Sequence, residues 1–339
     1  MTNITSRGRI ALRGRTMLAA PLAFAMAAVV TTPAPVYAAD STEVVVSGED
    51  APALRRVSDH VVVISIDGLR PDAIDKFRAG TLQKLMREGA YTLNAQTIMP
   101  SKTLPSHTSM VTGVDVSKHG IDWNSDQTDD HGVVGVPTMF GEAREAGLHT
   151  AAFFSKTKFH HLEVPNTLDH ARSPKNGIAG LIGRWSAGKT VSEVERYLES
   201  DAAAPNLMFV HIGEPDYAGH LFGWMSPWYG EAVREADAAV AEVIDEAGEK
   251  FGEGNFTVIV TADHGGHDKT HGSDNPLDTT IPWITWGKGV QQGATLPTVV
   301  RTMDTAATAL WLLGLPQPES WEGNAVALAF GGEAELATR

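Results

Sequence analysis

The chain predicts a layered α/β fold around a mostly parallel sheet. Three observations carry that reading. Short β-branched apolar runs recur along the chain, at residues 61–66, 150–154, 207–212 and 256–261, with a further short run at 282–286. Runs of this kind read as strands buried on both faces, as in a parallel sheet. Amphipathic stretches lie between them, and such alternation builds helices onto a central sheet. Several runs also end in polar clusters, and open parallel sheets place ligands beyond the carboxyl ends of their strands.

The elements follow in order. Arg7, Arg9, Arg13 and Arg15 form a basic start without an acid, residues 17–30 are apolar, and Val36-Tyr37-Ala38 offers a cleavage site with Ala39 or Asp40 as the new N-terminus. That is the layout of a secretory signal peptide over residues 1–38. The apolar run is shorter than the roughly 20 residues that span a bilayer, so no stable membrane anchor is expected. There is no twin-Arg pair, which favours the general secretory route. Residues 39–56 are a polar lead-in or linker, and residues 57–339 form one catalytic domain. Between the strands, residues 231–247 put Val233, Val240, Val243 and Ile244 on one helical face. Asp304 is expected to cap a helix running through Leu310, Trp311 and Leu313, stopped by Gly314 and Pro316. Residues 156–205 are less regular and read as a small insertion or lid near the site.

Composition narrows the function. The 27 basic and 41 acidic residues give a net charge of −14, which becomes −18 once the four leader arginines are lost. So acidic a chain repels nucleic-acid backbones, and polymer binding is not expected. Cysteine is absent, which is compatible with an oxidising compartment. The expected location is the periplasm or the extracellular space.

The chemistry sits at the strand ends. Asp67 follows the first run, Asp216 and His220 follow the third, Asp263 and His264 end the fourth, and His271 comes seven residues later. Taken singly, each has an ordinary explanation: a turn, a surface hydrogen bond, an exposed histidine. Three carboxylates and three imidazoles together are hard to assign to chance, and mixed His/Asp ligation suits zinc and related metals.

One further segment, Pro100-Ser101-Lys102-Thr103-Leu104-Pro105-Ser106-His107, sharpens the reading. The order Asp67-Gly68, Lys102-Thr103-x-Pro105-x-His107, Thr112-Gly113, His119-Gly120, Glu214-Pro215-Asp216-x-x-Gly219-His220, Asp263-His264-Gly265 and His271-Gly272-Ser273-Asp274 resembles the nucleotide pyrophosphatase/phosphodiesterase family of the alkaline phosphatase superfamily. The resemblance spans roughly residues 60–290. It implies an alkaline-phosphatase-like three-layer sandwich. Asp67, Thr103, Asp263 and His264 would hold one metal, and Asp216, His220 and His271 a second. Asn124, 21 residues after Thr103, looks like the family's asparagine that contacts a phosphoryl oxygen.

The implied reaction is hydrolysis of a small phosphate ester in two steps, with Thr103 as nucleophile and a phosphothreonine intermediate. Metal coordination activates a threonine hydroxyl, and two ions can stabilise the attacking and leaving oxygens. Asn124, with the Thr103 backbone N–H, would bind the non-bridging oxygen. Two divalent ions are implied; zinc is expected from the ligand set, with manganese and iron as alternatives.

Neighbouring residues are weighed against this set. His107 reads as a support for the ligands, His119 as a turn residue, and His267 as a competitor of His271. His131, His160, His161 and His170 are expected in exposed loops. Trp123, Tyr217, Trp224 and Trp228 either wall the site or pack in the core. Leu104 departs from the family, since nucleotide-cleaving relatives commonly carry a stacking aromatic there. Between Thr103 and Asn124 only Lys118 adds a cation besides His107 and His119. That tilts the expectation to diesters over a phosphomonoesterase or phosphonate hydrolase, unless residues 156–205 bring a cation. Sulfatase chemistry needs a modified Cys or Ser in a different motif. A catalytically silent metal-binding module is the alternative of another class; metal content without turnover would distinguish it.

Overall fold

The computed structural model of the protein describes residues 55–175, 184–200 and 202–332. The leader 1–38 and nearly all of the lead-in 39–56 lie outside the described residues. Eight strands form one sheet: β1 (His60–Ile66), β2 (Ala90–Gln96), β3 (Thr150–Phe153), β4 (His170–Arg172), β5 (Leu207–Ile212), β6 (Phe256–Thr261), β7 (Thr280–Gly287) and β8 (Ala294–Thr295). Their spatial order is β4-β3-β5-β1-β6-β7-β2-β8. The five strands from β4 to β6 pair in parallel, and β7 alone runs against its neighbours.

The apolar runs become the centre of this sheet. β1, β5 and β6 are buried along essentially their whole length, because helices cover both faces. One layer holds helices Gly80–Glu88, Ala187–Leu198, Glu214–Phe222 and the long Pro227–Phe251. The other holds Thr103–Thr112, Met139–Glu145 and Asp304–Leu312. The three-layer sandwich expected from the sequence is therefore present. Three strands went unread: β2, half polar with a register shift, and the very short β4 and β8.

Two local expectations change. Asp304 is the first helical residue, not the cap: Met303 stands at the cap position. The Asp304 carboxylate instead accepts the backbone N–H groups of Arg301 and Asn324, tying the C-terminal segment to the helix. Residues 156–205 are more than an insertion, since helix Ala187–Leu198 packs on β3, β5 and the long helix as part of the layer. No helix among the described residues is long and apolar enough to cross a membrane.

The turn after β1 sets the spacing of the site. Gly68 has φ +72, and a Cβ there would lie 2.9 Å from the Asp216 Cα. The Asp216 N–H donates to the Asp67 carbonyl at 3.0 Å, while Trp224 Nε1 and the Tyr229 hydroxyl both donate to the Gly68 carbonyl. Only glycine allows this approach with a positive φ. Gly68→Ala should therefore destabilise the protein by about 1–3 kcal/mol, read as a lower urea midpoint at unchanged slope; an unchanged midpoint would show that the turn tolerates a side chain.

Candidate metal centre

Four neighbouring strands, β3-β5-β1-β6, deliver the site from their carboxyl ends. Asp67 follows β1, Ser155 and Lys156 follow β3, and Asp263 and His264 follow β6. Helix Glu214–Phe222, directly after β5, carries Asp216 and His220 one turn apart. Thr103 is the first residue of helix Thr103–Thr112, and the loop after β6 returns His271.

Six of the seven sequence-predicted ligand residues, Asp67, Asp216, His220, Asp263, His264 and His271, meet here. The ligand atoms of Asp67, Asp263 and His264 lie within 4.8 Å of one another, as do those of Asp216, His264 and His271. In the first group, His264 Nε2 is 3.4 Å from Asp67 Oδ1 and 3.2 Å from Asp263 Oδ2. In the second, Asp216 Oδ1 is 3.3 Å from His220 Nε2 and 3.4 Å from His271 Nε2, and the two imidazole nitrogens are 3.1 Å apart. His264 Nε2 is 4.0 Å from Asp216 Oδ1, and its ring stacks on His271 at 3.6 Å, so His264 joins the two groups.

Three features fit divalent ions. First, each imidazole is set in one tautomer. His264, His271 and His220 place Nδ1 at 2.8, 2.9 and 3.0 Å from the carbonyls of Gly265, Ser101 and Lys269. A carbonyl only accepts, so Nδ1 carries the hydrogen and Nε2 offers its lone pair. Second, nine buried side-chain polar atoms lack a hydrogen-bond partner among the described residues. Four of them, Asp67 Oδ1, Asp216 Oδ1, Asp263 Oδ2 and His264 Nε2, belong to this cluster, and Thr103 Oγ1 is another of the nine. Buried polar atoms are ordinarily paired, so such a concentration asks for a ligand. Third, ligands at about 2.0–2.1 Å from a tetrahedral zinc lie about 3.3 Å apart, which matches the spacings of both groups.

The electrostatics agree. Burial and the neighbouring Asp67 carboxylate push Asp263 well above the usual carboxylate range. Burial opposes ionisation of Asp67 too, but Lys156 and His211 overcome it and hold its carboxyl well below that range. Lys156 does the same for Asp216. Its ammonium sits 2.6 Å from both Asp67 Oδ2 and Asp216 Oδ2. Burial drives His264 down to about 3, so it is neutral and available. One lysine thus offsets three buried carboxylates, a deficit that cations relieve.

Thr103 is buried, and its N–H, at the first helical position, has no intrahelical acceptor. His107 braces this turn: Nδ1 donates to the Thr103 carbonyl at 2.8 Å and Nε2 accepts from Ser65 Oγ at 2.8 Å. Asn124 lies alongside. Its Oδ1 accepts the Leu104 N–H at 3.1 Å and Lys158 Nζ at 2.8 Å, and the amide Nδ2 has no acceptor among the described residues. Burial lowers Lys158 to about 8.

The other histidines separate from the site. His267 turns to Asp278 at 2.6 Å and does not compete with His271. His161, expected in an exposed loop, is buried and bound to Thr108, while His119 stands at the turn before Gly120, buried and bound to Ser109. Among the aromatics, Trp224 is core, Tyr217 and Trp228 are exposed, and Trp123 is half-buried beneath His131. Leu104 is fully buried, so it lines no base pocket. Lys156, Lys158, Ser155 and His211 were missed by sequence reasoning. Lys156 nevertheless follows the β3 run as Asp67 follows β1, and the strand-end rule that found Asp67 applies to it.

Known proteins place this arrangement. Residues 61–286 match the family described as type I phosphodiesterase/nucleotide pyrophosphatase. GPI ethanolamine phosphate transferase 1 of Candida glabrata is 25% identical over 313 residues, covering 76% of this chain and 32% of that protein. The chain spans about a fifth to a third of the length of these curated relatives. Mouse ectonucleotide pyrophosphatase/phosphodiesterase 5, an inactive variant in complex with AMP, matches with a TM-score of 0.65 at 17% identity over 80% of this chain and 98% of that one. A phosphonate monoester hydrolase from Silicibacter pomeroyi matches at 0.62 and 16%, covering 83% and 78%. These structures share the alkaline-phosphatase-like fold. With a match that runs from the first residues of β1 to the end of β7, the chain belongs to the type I phosphodiesterase/nucleotide pyrophosphatase family.

Proposed function

We propose that this protein is an exported, metal-dependent phosphoester hydrolase that prefers phosphate monoesters to diesters and uses Thr103 as its nucleophile. Family membership and the phosphate-transferring relatives support phosphoryl transfer. The preference rests on Lys156 and Lys158. The expectation of diesters assumed that no cation beyond Lys118 reached the phosphate, and residues 156–205 supply two. Lys158 touches Asn124, and Lys156 uses two of its three N–H groups on Asp67 and Asp216, leaving one for a substrate oxygen. A monoester carries a second negative charge that a diester lacks, and buried cations reward it.

Asp67, Asp263, His264 and Thr103 would hold one divalent ion, and Asp216, His220 and His271 the other; zinc is favoured by the ligand set. Such ions supply Lewis-acid stabilisation of the attacking and leaving oxygens. The remaining work is done by the chain. The Thr103 oxygen, fixed at a helix start, bonds to phosphorus as the ester oxygen departs, and water then releases phosphate from the threonine. Asn124 Nδ2, the Thr103 N–H and Lys158 bind the non-bridging oxygens, whose charge is what the transition state must spread. A second reading, a phosphodiesterase or nucleotide pyrophosphatase, is favoured by the family match. Transfer or cleavage at a phosphoethanolamine group is its variant suggested by the relatives' name. Export is proposed from the leader-like composition of residues 1–38, and N-terminal sequencing of the secreted protein should begin at Ala39 or Asp40.

The direct test compares 4-nitrophenyl phosphate with bis(4-nitrophenyl) phosphate on the zinc-loaded protein. Higher kcat/KM on the monoester is expected, and Thr103→Ala should lower it on the order of 10³-fold or more. Diester preference would return the protein to the second reading, and full activity of the variant would refute the nucleophile.

Lys158 makes a pH prediction. Its cationic form exists below its pKa, so anion binding is present below about 8 and lost as pH rises through it. The kcat/KM for the monoester should fall on that alkaline limb. Lys158→Arg should move the limb upward, because guanidinium stays charged. An unmoved limb assigns it to another group.

Chelation should lower the melting temperature by about 10 °C or more, since ions that bind only the folded state stabilise it. Added zinc should restore it. No shift would mean that the cluster folds without metal.

A further inference from the structure

Beneath the ligands lies a residue that the proposed chemistry does not use. His211 is the fifth residue of β5 and is fully buried. Its Nδ1 is 2.8 Å from Ser155 Oγ and 3.3 Å from the Ser155 backbone N. A backbone N–H can only donate, so Nδ1 is the acceptor and Nε2 carries the hydrogen. That Nε2 lies 2.9 Å from Asp67 Oδ2. His211 is therefore the reverse of His264, His271 and His220, whose Nδ1 atoms donate to carbonyls and whose Nε2 atoms are bare.

The two oxygens of Asp67 are consequently unequal. Oδ2 receives both His211 Nε2 and Lys156 Nζ, while Oδ1 has no hydrogen-bond partner among the described residues and faces His264 Nε2 at 3.4 Å. A carboxylate free on both oxygens can turn, bind bidentate or bridge two ions; one with Oδ2 committed offers only Oδ1.

We propose that His211, its tautomer set by Ser155, is a positioning residue that reserves Asp67 Oδ1 as a single-oxygen ligand for the ion of the Asp263–His264 group. The inference rests on the reading of Asp67 as a ligand. Partners of this kind affect metal affinity by about 10–100-fold. Because His211 contacts only the first group, the Asp216–His220–His271 group should keep its affinity when His211 is replaced.

The test is a zinc titration of the full mature chain against a chromogenic chelator, for the unsubstituted protein, His211→Leu and His211→Gln. The glutamine amide can replace the Nε2–H donor; leucine cannot. The expected result has two ions bound by the unsubstituted protein, one of them weakened 10–100-fold in His211→Leu and largely recovered in His211→Gln. The second ion and the melting temperature of the metal-free protein should change little. Equal weakening of both ions alongside a lowered metal-free melting temperature would make His211 merely structural. Unchanged affinity in His211→Leu would overturn this inference alone, whereas absence of two-ion binding by the unsubstituted protein would overturn the metal reading on which it stands.

Discussion

Three carboxylates, Asp67, Asp216 and Asp263, are buried together at the ends of neighbouring strands, and the rest of the site answers to that constraint. Like charges removed from water cannot all ionise unless cations compensate them. Lys156 compensates part of the charge from one side, by holding the Oδ2 atoms of Asp67 and Asp216. The opposite oxygens, Oδ1 of both residues, face bare imidazole nitrogens and have no hydrogen-bond partner among the described residues. Each of these two carboxylates is therefore divided: Oδ2 is held by Lys156 and Oδ1 is open. A structural salt-bridge cluster would close on itself, as Asp278 does with His267 and Ser273. This one leaves four buried atoms without a hydrogen-bond partner among the described residues.

The fold makes the crowding possible. Parallel strands in register end at one edge of the sheet, so residues far apart in sequence arrive side by side. Gly68 lets the turn after β1 approach the backbone of Asp216, and Trp224 and Tyr229 pin that turn from below. These contacts fix distances between carboxylates carried by different elements, which side-chain rotamers alone would not.

Much of this was legible because it is local. The apolar runs of β1, β5 and β6 are buried on both faces, and polar residues come shortly after each: Asp67 after β1, Asp216 on the helix after β5, and Asp263 after β6. Asp216 and His220 share a helical face by their spacing. What escaped notice depends on contacts across the chain. β2 looks half polar because its neighbours, not its own pattern, bury it. His211 reads as one polar residue inside an apolar strand, and its role appears only when Ser155 and Asp67 are beside it. Lys156 and Lys158 sit in a segment whose irregular composition suggested a lid; their meaning comes from where β3 ends. Missing them left the charge argument about the substrate counting Lys118 alone, and their places beside Asn124 and the carboxylates are what the monoester proposal rests on.

The central claim is that the cluster is a two-ion centre beside Thr103. Anomalous X-ray scattering from zinc-loaded crystals tests it most directly. The account predicts two peaks, one contacting Asp67 Oδ1, Asp263, His264 and Thr103, and the other contacting Asp216 Oδ1, His220 and His271. A single peak, or ions bound away from these atoms while the open ligand atoms remain unpartnered, would contradict it.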